Sequence, residues 1–205
     1  MTDLAVTPAF LLASAAITLS PGPDILYVLA KGISQGRRSA LVAAAGFCSG
    51  LSVHTTAAAV GLSAMLVASS AAFTAVKVCG AAYLVYLGIR AIVSKDLIAV
   101  PDQHERLPDK RIFAQAFVMN VLNPKVALFY LAFIPQFIPP NATHPGMHFM
   151  ALGISFAVVA LAIFSSVGVF SGSISLLIRS RPKLTFHLNR LAGLIFIALG
   201  VRLAI

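Results

Sequence analysis

Several stretches of this chain hold about 20 or more mostly apolar residues, and nothing restricts its fold more, because a run of that length crosses the hydrocarbon of a bilayer as a helix. Six such spans can be drawn: Pro8 to Ala30, Ser39 to Leu62, Phe73 to Val93, Phe113 to Ile138, Met147 to Ile178 and Phe186 to Ile205. The fifth exceeds what a bilayer needs, so tilt or an interfacial piece is expected there. Of the 205 residues 59% are hydrophobic and 10% charged, and the mean hydropathy of +0.94 is that of an integral membrane protein. The expected class is all-α, a polytopic protein of six transmembrane helices in one domain over residues 1–205 whose environment is the lipid bilayer.

Fifteen Lys and Arg against six Asp and Glu give a net charge of +9. In a soluble chain this would suggest nucleic acid, but the charges gather between the apolar spans, as the positive-inside rule requires. Lys31, Arg37 and Arg38 follow the first span. Arg90, Lys95, Arg106, Lys110 and Arg111 lie around the third link, and Arg179, Arg181, Lys183 and Arg190 around the fifth. The second and fourth links carry no Lys or Arg. Links one, three and five are therefore expected in the cytoplasm and both termini outside, with no nucleic-acid partner. Met1-Thr2-Asp3 lacks the basic start of a signal peptide, so cleavage is not expected. Cys48 and Cys79 form no CxxC or Cys/His cluster and the five histidines no ligand spacing, so no metal and no cofactor is expected.

The first span is interrupted by Ser20-Pro21-Gly22-Pro23-Asp24. Neither proline has an N–H, so the carbonyls of Ile17 and Leu19 lose their helical partners, and each proline disfavours the helical conformation in the residue before it. At membrane depth such a break persists only where protein or a water-filled cavity satisfies the freed groups. It marks a binding site in a broken helix.

The two halves of the chain resemble each other. A shift of 103 residues lays Phe10 on Phe113, Ala13 on Ala116, Leu19 on Leu122, Pro21 on Pro124 and Tyr27 on Tyr130; a shift of 112 lays Leu87-Gly88-Ile89-Arg90 on Leu199-Gly200-Val201-Arg202. Three spans per half invert the second half relative to the first, the plan of many secondary transporters. The repeats then cover about 1–95 and 112–205, joined by a cytoplasmic link of about 96–111. A second break is expected at Asn123-Pro124.

At the first break, unpaired N–H groups from Asp24 onward suit a carboxylate, while freed carbonyls and the Asp24 side chain suit an ammonium group. A zwitterionic amino acid needs both. Asp24, the one acid within the spans as drawn, is a candidate proton carrier; the plain alternative is that it caps the half-helix. At the second break Asn123 is a good cap and Pro124 a good first residue. Lys125 opposes the helix dipole and lies about 18 Å from either end of its span, too deep to reach the interface. It is expected to face the central cavity and pair with Asp24 or a substrate carboxylate, or else to serve carbonyls freed by a break. Asn120 carries the carbonyl that Pro124 leaves without its helical donor. Secondary candidates are Lys77, which lies near a span end; His54, read first as a packing histidine and second as a proton relay; and Tyr27 and Tyr130, gates or plain core. Gly46 with Gly50, and Gly168 with Gly172, have the spacing of close helix packing.

These residues carry a resemblance to the lysine exporter superfamily, in its homoserine/threonine resistance (RhtB-like) branch, over nearly the whole chain. The matching pieces are Ser20 to Asp24; Gly46 to Gly50 with His54 and Gly61-Leu62-Ser63; Lys77 with Gly80 to Leu84 and Leu87-Gly88; and Asn120 with Asn123-Pro124-Lys125 and Pro135-Gln136-Phe137. The resemblance implies a six-helix exporter of amino acids or their derivatives in the bacterial inner membrane, driven by the proton gradient. Ala116 departs from it, since glycine is common there, which bears on packing beside the second break. The expectation is a transporter and not an enzyme, with a small neutral or polar amino acid as substrate and protons as coupling ion. Two alternatives stand beside it. Divalent-cation efflux would need more intramembrane acid, His and Cys ligands than the chain has. A thiol-disulfide electron carrier would need Cys48 and Cys79 close together.

Overall fold

The computed structural model describes residues 6–20, 22–62, 70–93, 106–139, 142–180 and 182–204, and every regular element in them is helical. Pro8–Leu19 (α1) opens with Thr7, whose hydroxyl accepts from the Phe10 N–H, and stops at Ser20, where the backbone turns extended. Pro23–Gln35 (α2) restarts with proline in the first turn. The two axes differ by 59°. Gly36 then joins α2 to Arg37–Ala57 (α3) in a single residue at φ +89°, a conformation that glycine takes without the steric cost of a Cβ. A wider helical turn over Ala58–Leu62 continues α3. Ser70–Val93 forms α4.

The second half starts with Asp109–Val121 (α5), and Pro124–Leu128 (α6) follows the break at Asn123. Wide and tight turns carry the chain on to Phe137, and this second pair is bent by 47°. The break expected at Asn123-Pro124 is therefore present. Pro145–Val169 (α7), Ser171–Ser180 (α8) and Pro182–Ala204 (α9) complete the described chain. The expected fifth span, Met147 to Ile178, is corrected to two helices. Phe170 leaves the helical conformation, and α8 is a separate ten-residue segment with Ser171 and Ser175 buried and Leu176 exposed.

Among the described residues two helices are able to cross a membrane by length and composition, Arg37–Gly61 and α7, and four if each bent pair counts as one span. The apolar stretches Val78–Val93 and Asn189–Val201 of α4 and α9 are shorter. Large apolar side chains cover the outside, with Leu12, Val60, Leu122 and Val158 each more than half exposed. That is the surface of a protein solvated by lipid.

Small residues set how the helices meet. A Cβ on Gly46 would stand 2.5 Å from the Phe113 carbonyl oxygen and 2.8 Å from Ala116 Cβ, and one on Gly50 would stand 2.7 Å from Asn120 Oδ1. Helices α3 and α5 thus lie parallel and almost backbone to backbone, and Ala116, where glycine was expected from the resemblance, fits because Gly46 faces it. Gly168 lies against Ala40, and Gly153 against Thr55, so α7 runs antiparallel to α3. Helices α4 and α9 are antiparallel too: Gly88 meets the Gly193 carbonyl and Gly200 the Ala81 carbonyl. The reading of Gly168 and Gly172 as one packing pair is half wrong. Gly172 belongs to α8 and has nothing within 4 Å of its Cβ position.

Candidate functional site

The two breaks touch. Asn123 caps α6 through Oδ1, which accepts from the Lys125 N–H at 3.0 Å, and its Nδ2 donates to Asp24 Oδ1 at 2.8 Å. One side chain therefore ends a helix in one half and holds a carboxylate from the other. Asn120 Nδ2 makes a longer contact, 3.4 Å, to Asp24 Oδ2. Asp24 is not the cap of α2, as the plain alternative had it: Gly22 stands at that position, and the Asp24 carboxyl points across to the second break.

Lys125 Nζ donates to the Ser20 carbonyl oxygen at 3.0 Å, a backbone acceptor at the first break. It makes no direct ion pair with Asp24. Among the described residues the one ion pair is Arg38–Asp109 at 2.9 Å, on the surface at the first turns of α3 and α5. Of the contacts expected of Lys125 with the protein itself, the structure has the one to a backbone carbonyl, and Lys125 and Asp24 border one cavity, together with Ser20, Gly22, Asn120 and Asn123. Lys125 has two N–H groups left over, and the carboxylate has lone pairs to spare. Asn120 is 1% exposed, and its Oδ1 accepts no hydrogen bond from the described residues.

Apart from Thr18, the rest of the lining is apolar, and none of it was singled out from the sequence as a site. Helix α7 contributes Phe156, Ala160 and Phe164, and Ile17, Ile25, Leu51 and Val126 close the space. Aromatic residues at helical spacing read as core, so no sequence signal separates this wall from any other buried face. The cavity measures about 20 Å³. One water needs about 10–15 Å³ and ligand sites run to about 300 Å³ and more, so this conformation is closed around little more than water. No group of three or more potential metal ligands occurs among the described residues.

A family model described as LysE type translocator matches residues 15–205. The chain belongs to that family. Similar relatives include an uncharacterized membrane protein of Vibrio cholerae, 33% identical over 98% of both chains. A homoserine/homoserine lactone efflux protein of Salmonella typhimurium is 33% identical over 96% of this chain and 94% of its own. A leucine efflux protein of Klebsiella pneumoniae is 33% identical over 95% and 92%. No solved structure matches.

Three of the secondary candidates of this LysE type translocator, Tyr27, His54 and Tyr130, do not line the cavity. His54 Nε2 lies 3.1 Å from the Asn120 carbonyl, where a ring N–H donates, and its ring stacks on Tyr130 at 5.5 Å. Asn120 O also accepts from the Asn123 N–H at 2.9 Å, so the carbonyl that Pro124 was expected to leave unpaired has two donors. Thr55 gives its one proton to the Leu51 carbonyl, which makes the Tyr130 hydroxyl the donor in their 2.8 Å contact. Tyr27 donates to Gln115 Oε1 at 2.8 Å. Both tyrosines are buried and engaged in this way. The Lys77 side chain and Pro21 lie outside the described residues.

Proposed function

We propose that this LysE type translocator is a secondary exporter of amino acids, moving a small neutral or polar amino acid out of the cytoplasm in exchange for protons. The observation that carries the reading is the meeting of two helix breaks, one bringing a carboxylate and the other an ammonium group to the same buried cavity. A zwitterion presents the complementary pair. Its ammonium group finds Asp24 and the free Asn120 Oδ1, and its carboxylate finds the spare N–H groups of Lys125. The efflux names of the Salmonella and Klebsiella relatives support the same assignment.

The inverted repeat is the mechanism's frame. Shifting Ala81 and Gly88 by 112 residues gives Gly193 and Gly200, so the Gly88–Gly193 and Ala81–Gly200 contacts exchange with each other under the repeat. That reciprocity, with α4 and α9 antiparallel, supports two three-span halves related by an axis in the membrane plane, the bent pairs being spans one and four. The described cavity is then an occluded form, and transport requires each break to open to one side in turn. Asp24 takes the proton when the substrate ammonium leaves it. The Lys and Arg distribution supports a bacterial inner-membrane protein with both termini outside.

Uptake of a labelled amino-acid panel into proteoliposomes with an imposed proton gradient tests the reading, wild type beside Asp24→Asn. Gradient-dependent uptake of a few amino acids, lost in the variant, is expected. A folded wild-type protein that moves none of them overturns it.

A further inference from the structure

The cavity has two unlike walls. Every charged group belongs to the breaks, on α2 and α6, whereas α7 offers only Phe156, Ala160 and Phe164. These stand four residues apart on one helix face, and at 1.5 Å per residue they cover about 12 Å along the axis. All three are at least 96% buried. The two rings are fixed from behind, Phe156 by Phe129 at 4.8 Å and Tyr130 at 5.8 Å, and Phe164 by Phe47 at 5.6 Å. Ala160, between them, is where this wall is one carbon deep.

Resting on the amino-acid exporter reading, we propose that the α7 face is the side-chain pocket of the substrate and that Ala160 sets its depth, which makes aliphatic amino acids preferred over hydroxylated ones of the same shape. With the ammonium and carboxylate groups held at the breaks, the side chain is left to the wall that carries no charge. None of the three α7 side chains that line the cavity carries a group able to form a hydrogen bond, and the backbone N–H and C=O groups of a helix interior are already paired with each other. The Thr18 hydroxyl, which also lines the cavity from α1, gives its proton to the Ser14 carbonyl at 2.7 Å. A substrate hydroxyl directed at α7 loses its water without gaining a partner, which costs it binding relative to a methyl group. The chemistry of the wall carries the inference, since the closed cavity of about 20 Å³ has to open to admit any side chain.

Initial uptake rates in proteoliposomes test this with two isosteric pairs, norvaline against homoserine and valine against threonine, in wild type, Ala160→Ser and Ala160→Leu. In wild type the aliphatic member of each pair is expected to lead by roughly tenfold or more, in the range of a methyl or hydroxyl discriminated by an apolar pocket. Ala160→Ser is expected to narrow both ratios, and Ala160→Leu to lower leucine uptake relative to alanine uptake by a similar factor. Ala160→Ser changes the volume by one atom and keeps the test open where Ala160→Leu does not fold. Uptake that favours homoserine and threonine in wild type, or ratios unmoved by either variant, overturns the pocket while leaving the exporter standing. Absence of all amino-acid uptake by folded protein overturns both.

Discussion

The approach of α3 to α5 gives one substitution opposite signs at two positions. Alanine in place of glycine normally stabilises a helix interior by about 0.5–1 kcal/mol, because the unfolded chain has less freedom to lose. At Gly46 the added Cβ would stand 2.5 Å from a backbone oxygen of Phe113 and 2.8 Å from Ala116 Cβ, where non-bonded atoms prefer about 3.5 Å or more. A backbone carbonyl cannot swing aside, so the helices have to part by nearly 1 Å. Overpacking of this kind costs about 1–3 kcal/mol. Gly46→Ala is therefore a net loss of about 1–2 kcal/mol, and at about 2–4 °C per kcal/mol for a chain of this size Tm should fall by roughly 2–8 °C. Gly172→Ala, with nothing within 4 Å, should leave Tm unchanged or raise it by a few degrees. Thermal unfolding of both variants in the same mild detergent, followed by loss of the monodisperse peak, decides the matter. A rise in Tm for Gly46→Ala would refute the close parallel packing on which the position of Asn120 depends.

Other consequences follow from single contacts. Asn123→Ala removes both a helix cap, worth about 0.5–2 kcal/mol, and a hydrogen bond to a carboxylate, worth about 1.5–3 kcal/mol. It should lower Tm well beyond Asn123→Ser, which keeps a capping oxygen; equal Tm values would remove the cap from the account. Tyr130→Phe leaves its ring packed and Thr55 bonded to Leu51, so it should cost about 1 kcal/mol and leave uptake rates within about twofold; abolished uptake by a stable variant would give the hydroxyl a gating role. Arg38→Ala breaks an exposed ion pair, with 86% of the arginine side chain accessible, and should change stability by less than about 1 kcal/mol in 0.15 M salt. A larger loss would mean that this pair fixes the ends of α3 and α5.

Some of these features were legible in one dimension because their physics is local. A proline removes its own N–H wherever the chain goes, so the breaks after Ser20 and Asn123 could be read from the residues, as could Asn123 as a cap and Gly46 with Gly50 as a close approach. Others stayed open in the sequence because they depend on a distant partner. Asp24 could be a cavity carboxylate or the cap of its half-helix, and its carboxyl turns to Asn123, 99 residues away. Lys125 could pair with a carboxylate or serve a backbone carbonyl, and in the structure it reaches the Ser20 carbonyl. The end of α7 at Val169 escaped notice because Phe170 is as apolar as its neighbours and carries no breaking signal.

The sequence by itself determined that this is an all-helical membrane protein with two interrupted helices and charged groups at membrane depth. Hydropathy, proline geometry and the cost of burying charge act on each residue wherever it lies. Only the tertiary structure decided which break faces which, that the carboxylate and the ammonium border one closed cavity, and that Phe156, Ala160 and Phe164 form its apolar side. Those three residues look like any buried helix face in sequence, because lining a cavity is a property of what stands opposite, and what stands opposite α7 comes from residues 30 or more positions away along the chain.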